Sequence, residues 1–93
     1  MARTIHVRVI TNEGQAVADE AVSIRAPGEI GYLGILYNHA PLVTTLQPGT
    51  LRWRRPDGQT RTLRIGTGLL EITKNHLTVL TDTITALEPV GKQ

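Results

Sequence analysis

The chain predicts an all-β fold, a sandwich or barrel of many short antiparallel strands. Apolar residues recur at period two along most of its length, the mark of strands with one buried face. Turn signals interrupt these runs about every ten residues. No segment longer than one turn carries an apolar stripe at helical spacing.

Taken in order, TIHVRVI sets Ile5, Val7 and Val9 against His6 and Arg8, and Thr11 ends that strand before the turn NEGQ. Asp19-Glu20 reads as a solvated turn, after which AVSIRA points Val22 and Ile24 inward and Ser23 and Arg25 outward. LVTTL, 42–46, is a strand leaving the turn at Asn38-His39-Ala40-Pro41, since proline biases Ala40 to an extended conformation; Pro48-Gly49 then closes a turn. LRWRR puts Leu51 and Trp53 on one side and Arg52 and Arg54 on the other. PDG, 56–58, reads as a type I turn with Gly58 at positive φ, joining a hairpin to RTLRIG, where Leu63 and Ile65 face in. LLEIT and HLTVLTDTITAL add Ile72, Val79 and Leu80 to the predicted core, although adjacent Val79 and Leu80 cannot share one face without a bulge. Pro89 and Gly91 suit a fraying end, so the domain is drawn as 1–88 with 89–93 as a flexible end.

Ninety-three residues suffice for one domain with a thin aliphatic core; there is no phenylalanine, and Trp53, Tyr32 and Tyr37 are the only aromatics. Without cysteine, disulfides and thiol chemistry are excluded. The net charge is only +2, but eight of the ten basic residues are arginine, which favours planar, bidentate contacts with carboxylates. No apolar run approaches membrane-spanning length and the alternating N-terminus lacks a signal-peptide block, so a cytoplasmic location is expected.

Catalytic chemistry is poorly supplied. Ser23 is the only serine, mid-strand and without a histidine near it in sequence. His6, His39 and His76 are far apart in sequence, unlike zinc motifs, so no metal is expected. GTGLLE, 66–71, lacks the third glycine of a dinucleotide fingerprint, and the residues after it read as strand where a phosphate-holding helix would be needed; no cofactor is expected. Arg52, Arg54, Arg55, Arg61 and Arg64 form a basic hairpin that leaves nucleic-acid binding open as an alternative. Alternation turns Trp53 inward, however, which removes a stacking platform. A solvated strand face, or one docking an acidic protein surface, fits the arginines better.

The segment GEIGYLGILYNHAPLVTTLQPGTLR resembles the epsilon subunit of bacterial F-type ATP synthase. Gly31, Leu33, Gly34, Ile35, His39, Ala40, Pro41, Leu42, Thr44, Pro48, Gly49 and Arg52 match that family's pattern without a gap, and TIHVRVIT and GTGLLEITKNHLTVLTDT match as well. The resemblance covers nearly all of the chain. It implies a flattened ten-stranded sandwich and a non-catalytic place in the central stalk, where the domain binds the gamma subunit and the c-ring and couples ion translocation to ATP synthesis. By position, Thr11, His39 and Thr44 match residues that face gamma, and the loop Gly28, Glu29, Ile30, Gly31, Tyr32, Leu33 and Gly34 matches the part that approaches the c-ring. Tyr32 stands where the family often has an acidic residue, so docking there has to use packing or the phenol. Most members continue into an inhibitory two-helix hairpin; this chain stops at Gln93, where those helices would begin, so their inhibition is not expected of it.

Overall fold

Period-two alternation builds the ten strands of the computed structural model, which describes residues 3–86. They are β1 (Ile5–Thr11), β2 (Gly14–Ala21), β3 (Ser23–Gly28), β4 (Gly31–Leu36), β5 (Leu42–Leu46), β6 (Gly49–Arg54), β7 (Thr60–Ile65), β8 (Gly68–Thr73), β9 (His76–Thr81) and β10 (Ile84–Ala86). Residues 87–93, including the expected flexible end, lie outside the described residues.

The strands form one sheet curled into two layers, in the order β10-β7-β6-β3-β5-β8-β9-β1-β2, with β4 on the free side of β3. One layer is β5-β8-β9-β1-β2 and the other is β4-β3-β6-β7-β10. Only the pair Gly28↔Leu46 joins β3 to β5. At another corner, β2 passes into β3 through the single residue Val22, whose N–H donates to the Arg54 carbonyl at 2.8 Å. Pairing is antiparallel except between β1 and β9, which run parallel. Two strands so distant in sequence need no tight turn between them, so neither direction is imposed.

Register lines up the core in rows. Val7, Leu77, Ile72 and Leu42 are cross-strand neighbours, and the next row is Val9, Val79, Leu70 and Thr44. Facing them from the other layer are Ile24, Ala26, Ile35, Leu51, Trp53, Leu63 and Ile65, all buried. Each fully buried aliphatic side chain contributes about 1.5–3 kcal/mol of transfer free energy. The core therefore holds the predicted inward residues with two exceptions. Leu80 points out, 45% exposed, because its neighbour Val79 takes the inner face. Val22 is half-buried at the bend between layers and belongs to no strand.

Asp19 and Glu20 lie within β2, not in a turn. Asp19 opposes buried Val7 and so points inward from an edge strand. Its Oδ2 accepts the Trp53 indole N–H at 2.8 Å, and both carboxylate oxygens lie 3.1 Å from Arg55 Nε. Arg55 Nη1 also reaches Asp57 at 2.9 Å, in the turn closed by Gly58 at φ 91°. Burial alone pushes the Asp19 carboxyl up. The bonds from Trp53, the Glu20 N–H and Arg55 outweigh it and hold the group below its ordinary value of 3.8.

Asp19→Ala strands the Trp53 N–H and should cost about 1–3 kcal/mol, read from the urea midpoint. Because the folded value is depressed, the ionised group stabilises the fold at any pH above 3.8, and that contribution fades as pH falls through the lower folded value. An acid titration of stability in Asp19→Asn should therefore show a smaller loss below pH 3.8 than the wild type.

Candidate functional site

His39 is set by two asparagines. Lys74-Asn75 forms the two-residue turn between β8 and β9 with both residues at positive φ, 49° and 63°. Two such residues make the turn that suits a twisted hairpin, and asparagine tolerates this region. Asn38, after β4, also stands at φ 66°. The two asparagines bond reciprocally: Asn38 N–H donates to Asn75 Oδ1 at 2.6 Å, and Asn75 Nδ2 donates to Asn38 Oδ1 at 3.1 Å. His39 follows, half-buried, with Nδ1 donating to the Ala40 carbonyl at 2.6 Å.

The glycine segment is a hairpin tip. Gly28 pairs with Gly31 across the two residues Glu29 and Ile30. Gly31 takes φ 139°, and a Cβ on Gly28 would sit 2.7 Å from the Gly31 carbonyl oxygen, so both glycines have steric causes. The Glu29 carboxylate accepts from Thr45 Oγ1 at 2.6 Å, and Gln47 Nε2 donates to the Gly28 carbonyl at 3.0 Å. Thus anchored, the tip presents Ile30 at 99% exposure. Tyr32 sits under the Arg25 guanidinium, 5.1 Å from the ring centroid, and its hydroxyl accepts the Thr50 N–H at 3.2 Å. Leu33 turns partly inward and Gly34 lies in β4 opposite Arg25.

The outer face of the β5-β8-β9-β1 layer carries a row that simple alternation had not singled out: Thr45, Leu69, Leu80 and Ile10, all cross-strand neighbours. Leu69 and Leu80 are exposed, and Val43, 61% exposed, lies beside them. The signal was present in the sequence, since Val79 and Leu80 must face opposite ways. Thr11 lines a shallow groove with Ile10, Leu69 and Leu80. Its hydroxyl also accepts the Glu13 N–H at 3.1 Å. Thr44 lies on the same strand as Val43 and Thr45 but on the core side, half-buried opposite Leu70.

Thr11, His39 and Thr44 therefore form no compact patch. Thr11 is three strand spacings from Thr44 (roughly 14 Å at about 4.8 Å each) and two residues further along. His39 lies near Asn75, at the opposite end of these strands from Thr11. What the fold offers is an extended face with polar ends and an apolar middle.

Ser23 opposes Leu36 and Arg54. Among the described residues no group of three metal-ligating side chains converges. His6 and His76, neighbours on β1 and β9, stack with ring centroids 4.9 Å apart, and His6 Nδ1 lies 3.8 Å from the Glu20 carboxylate.

Residues 4–87 match the family model described as "ATP synthase, Delta/Epsilon chain, beta-sandwich domain". The ATP synthase epsilon chain of Acidithiobacillus ferridurans is 49% identical over 82 residues, 88% of this chain and 57% of that one. The chain spans less than three-fifths of the length of this and similar curated relatives. Among solved structures, one of the Euglena gracilis mitochondrial ATP synthase (OSCP/F1/c-ring) superposes with TM-score 0.86 at 18% identity, covering 97% of this chain and 57% of that one. Another, of the Tetrahymena thermophila mitochondrial ATP synthase central stalk and c-ring, gives 0.73 at 14% identity, covering 96% and 77%. At such identities these two speak to the fold.

Asn75→Ala removes both asparagine bonds and puts alanine at positive φ, so a loss of about 1–3 kcal/mol is expected from denaturant unfolding. Asn75→Gly relieves the backbone term alone and should recover part of that loss.

Proposed function

The chain belongs to the ATP synthase delta/epsilon β-sandwich family, and on that premise we propose that it is a non-catalytic subunit of the rotor of an F-type ATP synthase. In this reading it binds the gamma subunit and the c-ring and couples ion translocation to ATP synthesis. It reaches the membrane only through the complex, on the cytoplasmic face of a bacterial inner membrane. The names of the relatives and the F1, central-stalk and c-ring assemblies in the structural matches support the assignment.

The observation that carries it is the exposed Leu69–Leu80 row bordered by Thr11 and Val43. An apolar strip with a polar rim on a stiff sheet is the anatomy of a protein interface. Gamma docks across this face in the proposal, with His39 toward one end and Thr11 at the other, while Thr44, on the core side of β5, supports the strand from beneath. The tip 28–34 meets the c-ring through Ile30, a bare apolar side chain held out by a hydrogen-bonded hairpin. Tyr32, where the family often has an acid, acts by packing, its hydroxyl oxygen accepting the Thr50 N–H. A rigid sandwich clamped at two places transmits rotation without any bond being made or broken in it.

Leu69→Asp combined with Leu80→Thr, which avoids setting two like charges opposite each other on β8 and β9, should weaken binding to the cognate gamma subunit about tenfold or more, roughly 1.4 kcal/mol or above. The melting temperature should change little, because both side chains are already exposed. Calorimetric titration beside a thermal melt reads both quantities, and undiminished binding would move the gamma face elsewhere. His39→Glu should also weaken gamma binding; because it removes the Nδ1 hydrogen bond to the Ala40 carbonyl, stability should fall by about 0.5–1.5 kcal/mol as well. Ile30→Asp should leave gamma binding intact while reducing recovery of the subunit with detergent-solubilised c-ring.

A further inference from the structure

Charge is segregated between the two layers. The strands β3, β4, β6, β7 and β10 contain Arg25, Arg52, Arg54, Arg61 and Arg64 and no aspartate or glutamate. The strands of the other layer contain Asp19, Glu20 and Glu71 against Arg8 alone. A near-neutral molecule is thus basic on one side.

Four of these arginines share one surface. Arg25 and Arg52 are direct cross-strand partners, Arg54 lies two residues beyond Arg52, and Arg64 stands opposite Thr50 on β7. All four are exposed, and the only arginine ion pairs among the described residues belong to Arg55. Like charges directly opposite on a sheet destabilise it. Keeping Arg25 against Arg52, with no acid on any of the five strands, works against stability, and an anionic partner would reverse that term.

We propose that this outer face, built on Arg25, Arg52, Arg54 and Arg64, is a second docking surface that takes an acidic protein segment. Guanidinium forks grip carboxylates bidentately. Arg52 and Arg54, on alternate positions of one strand, stand about 6.8 Å apart, the repeat of acidic side chains on an extended partner. Serine and threonine fill the intervening outward positions, with Ser23, Thr50, Thr60, Thr62 and Thr85 offering hydroxyls to the same carboxylates. Nucleic acid fits less well. Tyr32 is covered by Arg25 and bonded to Thr50, and Trp53 is buried, so neither offers a free ring face among the arginines for a base. An anionic membrane also fits less well, since apart from Leu36 at its margin the face has no exposed aliphatic anchor. The surface lies on the opposite side of the sandwich from the Leu69–Leu80 row and stands independently of the rotor assignment.

The test is fluorescence anisotropy of labelled poly-glutamate titrated with the chain, beside a single-stranded oligonucleotide and vesicles of phosphatidylglycerol in phosphatidylcholine. Poly-glutamate should bind in a salt-sensitive manner and more tightly than the other two probes. Arg52→Glu with Arg54→Glu should weaken it about tenfold or more, whereas Arg8→Glu, on the far layer, should not. Arg52→Gln with Arg54→Gln, a milder change for folding, should show the same loss in smaller measure with an unchanged circular dichroism spectrum. Equal binding by the glutamine variant and the wild type would overturn the proposal, as would tighter binding of the oligonucleotide or the vesicles.

Discussion

The carboxylate of Asp19 is where the two layers of this sandwich are tied together. An acid pointing inward from an edge strand is costly unless its lone pairs are filled, and here they are filled by Trp53, Arg55 and the Glu20 N–H. The same contact fixes how β2 stands over β6, and with it the one-residue bend at Val22 that carries the chain from one layer to the other. It also commits the only tryptophan to structure. The inward acid further deters β2, the end of the sheet order, from pairing with strands of other molecules.

With that corner and the Gly28↔Leu46 bridge fixed, the rest of the surface is free to specialise. Turns are held by side-chain hydrogen bonds that cost little core volume, as in the Asn38–Asn75 exchange and the Glu29–Thr45 bond. One broad face is apolar in its middle, the other is lined with arginine, and the hairpin tip ends in a single bare isoleucine. The divisions follow from period two, because each strand supplies the core with one set of residues and an outer face with the other.

That periodicity is also why much of the fold was legible in the sequence. β1, β6, β7, β8 and β9 alternate cleanly, and PDG announced its hairpin. β2 was not legible. In GQAVADEA the inward side includes an aspartate, which reads as a turn until its tryptophan and arginine partners, more than thirty residues away, are known. β4 was hidden by Gly31 and Gly34, which blank two positions of its pattern. The stacking of His6 on His76 and the parallel pairing that causes it leave no local trace. As for the candidate site, the family resemblance proposes its residues one by one but says nothing of their spread. That Thr11 and His39 stand at opposite ends of the strands depends on a register that only the assembled sheet defines.

The parallel pairing of β1 with β9 bears on how the domain is made. His76 lies seventy positions after its partner His6, so β1 has only β2 beside it until the ninth strand has left the ribosome. Until then its other edge, with the apolar sequence VRVI, offers open backbone groups to any extended chain nearby. Loop closure over such a span slows folding of sheets with distant partners. The first of the ten strands is thus among the last to be completed, and its open edge is exposed during that wait.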